Sequence, residues 1–249
     1  MYHFYTDKSN ISGDTITISG DDYNHIRNVL RMKTGEELII CDGEGTDHFA
    51  RIENYEDGTV RAKVIERRDS EAELPARIYL FQGMPKKDKL EMIIQKAVEL
   101  GVYEIIPVMT RRVIVRLDDA RKEERKLERW RSIAESAAKQ SGRGIIPEVH
   151  SVLSFKEALG YAAGLETKFI PYENADSSAD GMEEARRLIR ELHGQKSIGI
   201  FIGPEGGFEP DEVESAVAAG FKCISLGRRI LRTETAGPAL LSVIMFELD

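Results

Sequence analysis

Two glycine-containing loops late in the sequence hold the residues whose types and spacing could support chemistry. They span residues 203–208 (GPEGGF) and 226–236 (LGRRILRTETA). Glycine permits tight turns and close approach of the backbone to a ligand, so clustered N–H and C=O groups can hydrogen-bond an adenine or a ribose. Each loop follows a short buried-strand pattern and leads into a helix pattern, and open α/β sheets bind ligands at such strand ends. We therefore predict one ligand pocket built from both loops.

The polar stretch 232–235 (RTET) in the second loop stands at the predicted start of a helix. These residue types cap helices, and a helix N-terminus can also face a ligand, so both roles are open. The glycines of the first loop are equally compatible with purely structural turns. Residue patterns alone therefore predict an α/β enzyme with a pocket, but they do not name its ligand.

Several other sites are excluded by pattern. The chain has no G-x-x-x-x-G-K-[ST] phosphate loop, no G-x-G-x-x-G after a strand and no G-x-S-x-G nucleophile turn. Its five histidines are scattered without the spacing of metal ligands, so no metal site is predicted.

Composition is that of an ordinary globular protein, with 41% hydrophobic and 31% charged residues in 249. No apolar run approaches the roughly 20 residues that span a membrane, and residues 1–7 lack a signal-peptide pattern. Two distant cysteines favour a reducing compartment, so we expect a cytoplasmic protein. A net charge of −8 argues against indiscriminate nucleic-acid binding. Residues 111–131 are locally basic, which fits a solvated helix face or a local RNA surface.

Hydrophobic patterning divides the chain. Short strands and tight turns predict a small β-barrel over residues 1–70, interrupted by a helix at 22–30. Residues 71–76 are polar, end in proline and are predicted to be a linker. Strand–helix alternation over 77–249 predicts a mostly parallel sheet covered on both faces. The helices are expected at 87–100, 120–141, 155–163, 182–192, 210–220 and through 240–246.

The paired loops closely resemble the motifs of SPOUT-class RNA methyltransferases. More narrowly, they resemble those of the bacterial family that methylates N3 of a uridine in 16S ribosomal RNA. Residues 84–102, 135–143 and 25–31 are similar to three further motifs of that family, so the resemblance covers nearly the whole chain.

The resemblance implies a PUA-like RNA-binding barrel at 1–70 and a SPOUT domain at 77–249 whose C-terminal segment forms a trefoil knot. It also implies a homodimer that binds S-adenosylmethionine in the knot. The implied cofactor-binding residues are Pro171, Tyr172, Glu173, Gly203, Pro204, Glu205, Gly206, Gly207, Leu226, Gly227, Ile230, Leu231, Arg232, Thr233, Glu234, Thr235 and Ala236. The implied RNA-binding residues are His25, Arg27, Arg31, Gln140, Ser141 and Arg143.

Methylation of uridine N3 requires loss of the N3 proton and an in-line approach to the methyl group, without a metal. Glu234 or Glu205 could act as the base, and Arg232 could stabilise the developing anion. The competing interpretation is that both carboxylates only hold the loops through backbone N–H groups.

Two alternative functions stay open. One is a SPOUT methyltransferase that acts on another target such as a ribose 2′-hydroxyl, although no asparagine begins the N-x-G-x-x-x-R motif typical of that branch. The other is a non-catalytic RNA-binding or ribosome-assembly factor with the same fold. The first 72 residues contain 9 Lys/Arg and 15 Asp/Glu, a net charge of −6. That charge favours an assembled small subunit over free RNA as the substrate.

Overall fold

The structure is a computed structural model and describes residues 1–113, 120–172 and 179–249. It divides into two compact units, Met1–Glu73 with Ala138–Ile146, and Leu74–Ala137 with Pro147–Asp249. The first boundary lies within the predicted linker. The inclusion of Ala138–Ile146 in the first unit was not predicted.

The first unit is built on a six-stranded sheet in the order β1-β4-β5-β6-β3-β2. Its pairs are antiparallel except for β1 with β4. Alternation in β3 turns Ile16 and Ile18 into a core that also holds Leu38, Ile40 and Ile52. The strands are β1 His3–Tyr5, β2 Ile11–Ser12, β3 Thr15–Ile18, β4 Glu37–Cys41, β5 Thr46–Glu56 and β6 Thr59–Asp69. The predicted β-rich N-terminal domain is confirmed, while β1 and β2 were not predicted.

The predicted helix at 22–30 is two short pieces. Helix α1, Gly20–Asn24, continues directly into a π-helical turn, His25–Val29. Ile26 is the buried residue of that turn, and its neighbours Arg27 and Val29 are exposed. The turn therefore exposes its polar residues together with Val29, while Ile26 anchors it in the core.

Backbone and side-chain hydrogen bonds explain why Ala138–Ile146 belongs to the first unit. The Tyr5 hydroxyl donates to the carbonyls of Ala138 and Arg143, and the Cys41 thiol lies 3.1 Å from the Gly144 carbonyl oxygen. The Gly45 N–H also donates to the Gly144 carbonyl. These contacts join residues far apart in sequence, which local patterns cannot reveal.

The second unit contains a seven-stranded sheet in which every pair is parallel, as predicted. The strand order is β10-β8-β7-β12-β11-β13, with β9 also paired to β8. The strands are β7 Arg77–Gly83, β8 Val102–Met109, β9 Glu148–Val149, β10 Leu153–Ser154, β11 Thr167–Pro171, β12 Ser197–Ile202 and β13 Lys222–Ile224. Their near-continuous apolar runs suit a sheet that is buried on both faces.

Six helices in the described residues lie wholly or, in the case of α3, mostly in the second unit. They are α2 Lys89–Glu99, α3 Ala120–Ser141, α4 Phe155–Tyr161, α5 Ala179–Arg190, α6 Pro210–Ala218 and α7 Thr233–Leu248. The last helix packs against α2, α5 and β12. None of the described helices is both long and apolar enough to cross a membrane. The trefoil knot implied by the resemblance stays a prediction.

Candidate functional site

The sheet order brings the two glycine-containing loops together. Loop 203–208 follows β12 and loop 226–236 follows β13, and β11 lies between these strands. Because all three strands run parallel, their carboxyl ends share one edge. A cavity of about 1020 Å³ opens there. The predicted single pocket is therefore confirmed.

Most residues predicted to bind a cofactor line this cavity. They are Pro171, Tyr172, Gly203, Pro204, Glu205, Gly206, Gly207, Leu226, Gly227, Ile230, Leu231, Arg232, Thr233 and Ala236. Glu234 and Thr235 are not among the lining residues, and Glu173 lies outside the described residues. The sequence did not predict Lys89, Arg112, Ser225, Arg228 and Arg229, which also line the cavity.

Close backbone contact shapes the first loop. A Cβ atom on Gly83, at the end of β7, would lie 2.6 Å from Pro204 Cδ and 2.7 Å from Pro204 N. Gly207 has a φ of 69°, a conformation that favours glycine. The contact between β7 and the loop therefore requires glycine at position 83, and the backbone conformation of the loop favours glycine at position 207.

A buried threonine connects the start of α7 to two strand ends. Thr233 is 4% exposed, and its hydroxyl donates to the Gly203 carbonyl at 2.6 Å. The Thr233 hydroxyl oxygen also accepts a hydrogen bond from Gln82 Nε2 at 2.9 Å. The hydroxyl thus joins β7, the first loop and α7. Thr233 combines this bridging role with its position at the helix start.

We expect Thr233→Val to lower the free energy of unfolding by about 1–3 kcal/mol, because the Gly203 carbonyl loses its donor without loss of side-chain volume. Affinity for the cavity's ligand should fall as well. Chemical denaturation and calorimetry measure the two effects. Thr235→Val is the matched control, since Thr235 is exposed and should change stability by less than about 0.5 kcal/mol. Equal effects of the two variants would contradict the bridging role.

One ammonium group lies between the two acidic residues predicted as candidate bases. Lys89 Nζ is 3.1 Å from Glu205 Oε1 and 3.2 Å from Glu234 Oε2. Burial raises the pKa of Glu205, but hydrogen bonds from its own N–H, the Lys86 N–H and Lys89 outweigh burial and lower it. The pKa of Glu234 is lowered, first by its backbone N–H and also by Lys89 and the charge of Arg232. Both groups are therefore carboxylates at neutral pH.

Arg112 holds the first loop through hydrogen bonds from its guanidinium. Its Nη1 donates to the Gly206 carbonyl at 2.6 Å, while Nε and Nη2 bind both carboxylate oxygens of Glu209 at 2.9 and 3.1 Å. Such a forked pair has a well-defined geometry. The arginine thus fixes the glycine loop to the residue that precedes α6.

The rim of the second loop is cationic and open. Arg228, Arg229 and Arg232 are exposed and line the cavity, and Ile230 is 84% exposed. Among the described residues, no acidic side chain forms an ion pair with any of these three arginines. Their charges are therefore available to an anionic ligand.

The predicted RNA-contact residues all belong to the first unit. His25, Arg27, Arg31, Gln140 and Ser141 are exposed. The Arg27 guanidinium stacks 4.8 Å from the Tyr55 ring centroid, with the Tyr23 ring 6.0 Å away. This stacking holds the cation at the surface in a restricted orientation.

Arg143 is the exception, and its predicted RNA contact needs correction. The residue is 3% exposed, and its Nη2 binds Glu73 Oε2 at 2.5 Å. Glu73 Oε1 also accepts from the Ile145 N–H at 3.0 Å. The guanidinium is thus occupied inside the first unit, because its charge satisfies a carboxylate that also caps the local backbone.

Within residues 1–113, 120–172 and 179–249, two clusters of potential metal ligands lie outside the cavity, although residue spacing had predicted none. Each has ligand atoms within 4.8 Å of one another: His3, Cys41 and Asp47; and Glu104, Glu148 and His150. In the first cluster, burial raises the pKa of Cys41 to about 12. That shift opposes the thiolate form that metals require.

Two family models match this chain. The family model described as an RNA methyltransferase domain matches residues 72–245, and one described as an RNA methyltransferase PUA domain matches 18–65. The ribosomal RNA small subunit methyltransferase E of Bacillus subtilis is 38% identical over 236 residues. The match covers 94% of this chain and 91% of that protein.

Solved structures agree over the same length. A ribosomal RNA small subunit methyltransferase E from Neisseria gonorrhoeae, bound to S-adenosylmethionine, is 33% identical with a TM-score of 0.76 and covers 97% of this chain and 95% of its own. A putative methyltransferase from Legionella pneumophila, also in complex with S-adenosylmethionine, is 31% identical with a TM-score of 0.74. The match covers 97% of this chain and 96% of that one.

Proposed function

This chain belongs to the ribosomal RNA small subunit methyltransferase E family, and from that membership we propose that it transfers a methyl group from S-adenosylmethionine to N3 of a uridine in 16S ribosomal RNA. The observation that carries this proposal is the meeting of the GPEGGF and LGRRILRTETA loops around one cavity. The reaction takes place in the cytoplasm, where ribosomal subunits are the substrate.

The cavity suits S-adenosylmethionine in size and chemistry. About 1020 Å³ is at the upper end of the range for small-molecule sites. Apolar groups from Pro171, Ile202 and Leu226 offer surfaces for a nucleobase, while the glycines leave backbone N–H and C=O groups near the ligand. When bound, S-adenosylmethionine supplies an electrophilic methyl group on a sulfonium sulfur.

Arg232 is the residue proposed to act on the base. Uridine N3 becomes nucleophilic when its proton leaves, and negative charge then spreads over O2 and O4. A guanidinium at the cavity rim lowers the energy of that anion. Arg232 fits this role because it lines the cavity and is exposed.

The two glutamates fit a holding role better than a proton-accepting one. Their lowered pKa values make them weak bases, and both are engaged by Lys89. Glu234 also lies outside the cavity lining. We therefore propose that Glu205 and Glu234 fix the loops, with the N3 proton passing to solvent.

RNA is positioned by the exposed residues of the first unit. Arg27 and Arg31 supply cations for phosphates, a contact that orients RNA without reading its sequence. The unit is nonetheless acidic overall, with 9 Lys/Arg against 15 Asp/Glu in residues 1–72. Long-range repulsion from that charge favours an assembled small subunit, which adds shape and protein contacts, over free RNA.

A second copy of the chain is the proposed partner of an exposed apolar face on α7. Val243 is 51% exposed and Phe246 is 83% exposed, and their i,i+3 spacing places them on one side of the helix. Burial of such side chains against an identical helix would remove apolar surface from water.

We expect Phe246→Asp to convert a homodimer into a monomer, because a carboxylate replaces the most exposed apolar side chain of this face. Sedimentation velocity measures the change. Val217→Asp is the control: Val217 is 49% exposed on α6 and should leave the assembly state unchanged. A wild type that sediments as a monomer would refute the homodimer.

The experiment that tests the activity is nucleoside mapping by mass spectrometry after incubation with labelled S-adenosylmethionine and unmethylated small subunits. N3-methyluridine at one site confirms the proposal. A 2′-O-methylated nucleoside would instead indicate a different target. Cofactor binding without any methylated nucleoside, or no binding at all, would favour a non-catalytic assembly factor. Free 16S RNA assayed in parallel separates the two substrate forms.

A further inference from the structure

Lys89 lies where three segments of the second unit meet. It is the first residue of α2 and lines the cavity. Glu205 comes from the first loop and Glu234 from the start of α7, and Lys89 Nζ contacts a carboxylate oxygen of each within 3.2 Å. One ammonium thus connects both halves of the pocket to a third segment.

Two groups at the start of α2 and just before it contact the Glu205 carboxylate. Besides the Lys89 ammonium, Glu205 accepts the Lys86 N–H at 3.1 and 3.3 Å. A carboxylate held by a backbone N–H and by an ammonium has little freedom to turn. Glu205 is therefore fixed relative to α2, and Glu234 is fixed relative to the same nitrogen.

The opposite charges of Lys89 and the two glutamates strengthen the contacts among them. The side chains of Lys89, Glu205 and Glu234 are 31%, 25% and 13% exposed, so they are only partly screened by water. Two carboxylates that share one ammonium would repel each other if it were removed. The ammonium therefore offsets the repulsion between these two carboxylates.

We propose that Lys89 is a positioning residue that ties the two loops together and so sets the gap into which the cofactor binds. The inference rests on the proposed function for the identity of that cofactor. The contacts themselves are made by residues of this chain alone. Lys89 acts through Glu205 and Glu234.

The ionisation of Lys89, Glu205 and Glu234 predicts how the effect of a substitution at Lys89 depends on pH. In the wild type, Lys89 helps to lower the pKa of both carboxylates, so both stay ionised from pH 8 to pH 6. Without Lys89, Glu205 keeps the hydrogen bonds from its own N–H and the Lys86 N–H, and Glu234 keeps its backbone N–H and the charge of Arg232, which also lower the two pKa values. Both groups should therefore stay ionised in Lys89→Met as well, and the loss that this variant causes should be the same at pH 8 and pH 6.

The test compares Lys89→Met, Lys89→Arg and the control Lys87→Met by calorimetry with S-adenosylmethionine. Lys87 is an exposed neighbour outside the cavity lining. We expect Lys89→Met to weaken binding about 10- to 100-fold relative to wild type, equally at pH 8 and pH 6. Lys89→Arg should stay within about fivefold of wild type, and Lys87→Met within about twofold. A loss for Lys89→Arg as large as that for Lys89→Met, or a loss for Lys89→Met no larger than that for Lys87→Met, would overturn the inference.

Hydrogen exchange of the ligand-free protein gives an independent readout. Lys89→Met should accelerate exchange in both 203–208 and 226–236 by at least fivefold, while Lys87→Met changes neither. Acceleration in one loop alone, or in neither, would contradict the role of Lys89 in connecting the two loops, even if the wild type binds the cofactor. A wild type that binds no S-adenosylmethionine would overturn the proposed function, while the exchange experiment still decides the role of Lys89.

Discussion

Arg232→Met is expected to lower kcat about 100- to 1000-fold, the range seen when one donor to a developing oxyanion is removed. Affinity for S-adenosylmethionine should change by no more than about threefold, because the anion forms on the RNA base and not on the cofactor. The side chain is exposed at the cavity rim, so its loss should leave the fold intact. Single-turnover assays on small subunits and calorimetry measure the two quantities.

The control for this variant is Arg190→Met, which removes an exposed guanidinium from α5. It changes the net charge by the same amount, so it reports any general electrostatic effect on RNA binding. Its kcat should match that of the wild type. If Arg232→Met raises KM for the subunit while kcat is unchanged, Arg232 contacts RNA phosphate and does not stabilise the base anion.

Gly83→Ala is expected to weaken cofactor binding at least tenfold and to destabilise the fold by about 1–3 kcal/mol, as overpacking does. The added Cβ would lie 2.7 Å from the backbone nitrogen of Pro204. The Pro204 backbone cannot move away from the new methyl group as a flexible side chain can, so the whole first loop must shift. Calorimetry with S-adenosylmethionine and chemical denaturation measure the effects.

Gly160→Ala is the matched control for that variant. Both substitutions reduce the entropy of the unfolded chain equally. A Cβ on Gly160, in α4, meets nothing within 4 Å, so this control should stabilise the protein by up to about 1 kcal/mol. Normal cofactor binding by Gly83→Ala would show that the loop adapts to the added methyl group.

Local patterns predicted the parts of the site that lie in one stretch of chain. The two glycine-containing loops, the strand before each and a helix that begins close to residue 233 follow from periodicity. The expected capping of this helix by a threonine side chain is wrong, because the N-cap is Arg232 and its side chain makes no capping hydrogen bond. The parallel sheet follows from strand–helix alternation, and it brings the loops to one edge. These features were predictable because each depends on residues close in sequence.

The contacts that hold the loops were not predictable in this way. Gly83 is an isolated glycine at a strand end until Pro204 is seen beside it. Arg112 belonged to a basic segment that suited a solvated face, yet it binds Gly206 and Glu209. Arg143 resembled an RNA contact by its place in a motif, but burial beside Glu73 gives it a structural role. In each of these cases, a contact with a residue distant in sequence determines the role of the side chain or glycine.

The hydrogen bond between Gln82 and Thr233 has a consequence for how the enzyme becomes active during folding. It joins residues 151 positions apart, and loop closure over such a separation is entropically costly. The pocket can therefore close only after α7 docks onto strands that precede it in the chain. Ligand affinity should thus appear as a late event in refolding, after most secondary structure has formed. Conditions that detach α7 from the sheet should therefore abolish catalysis before the sheet itself unfolds.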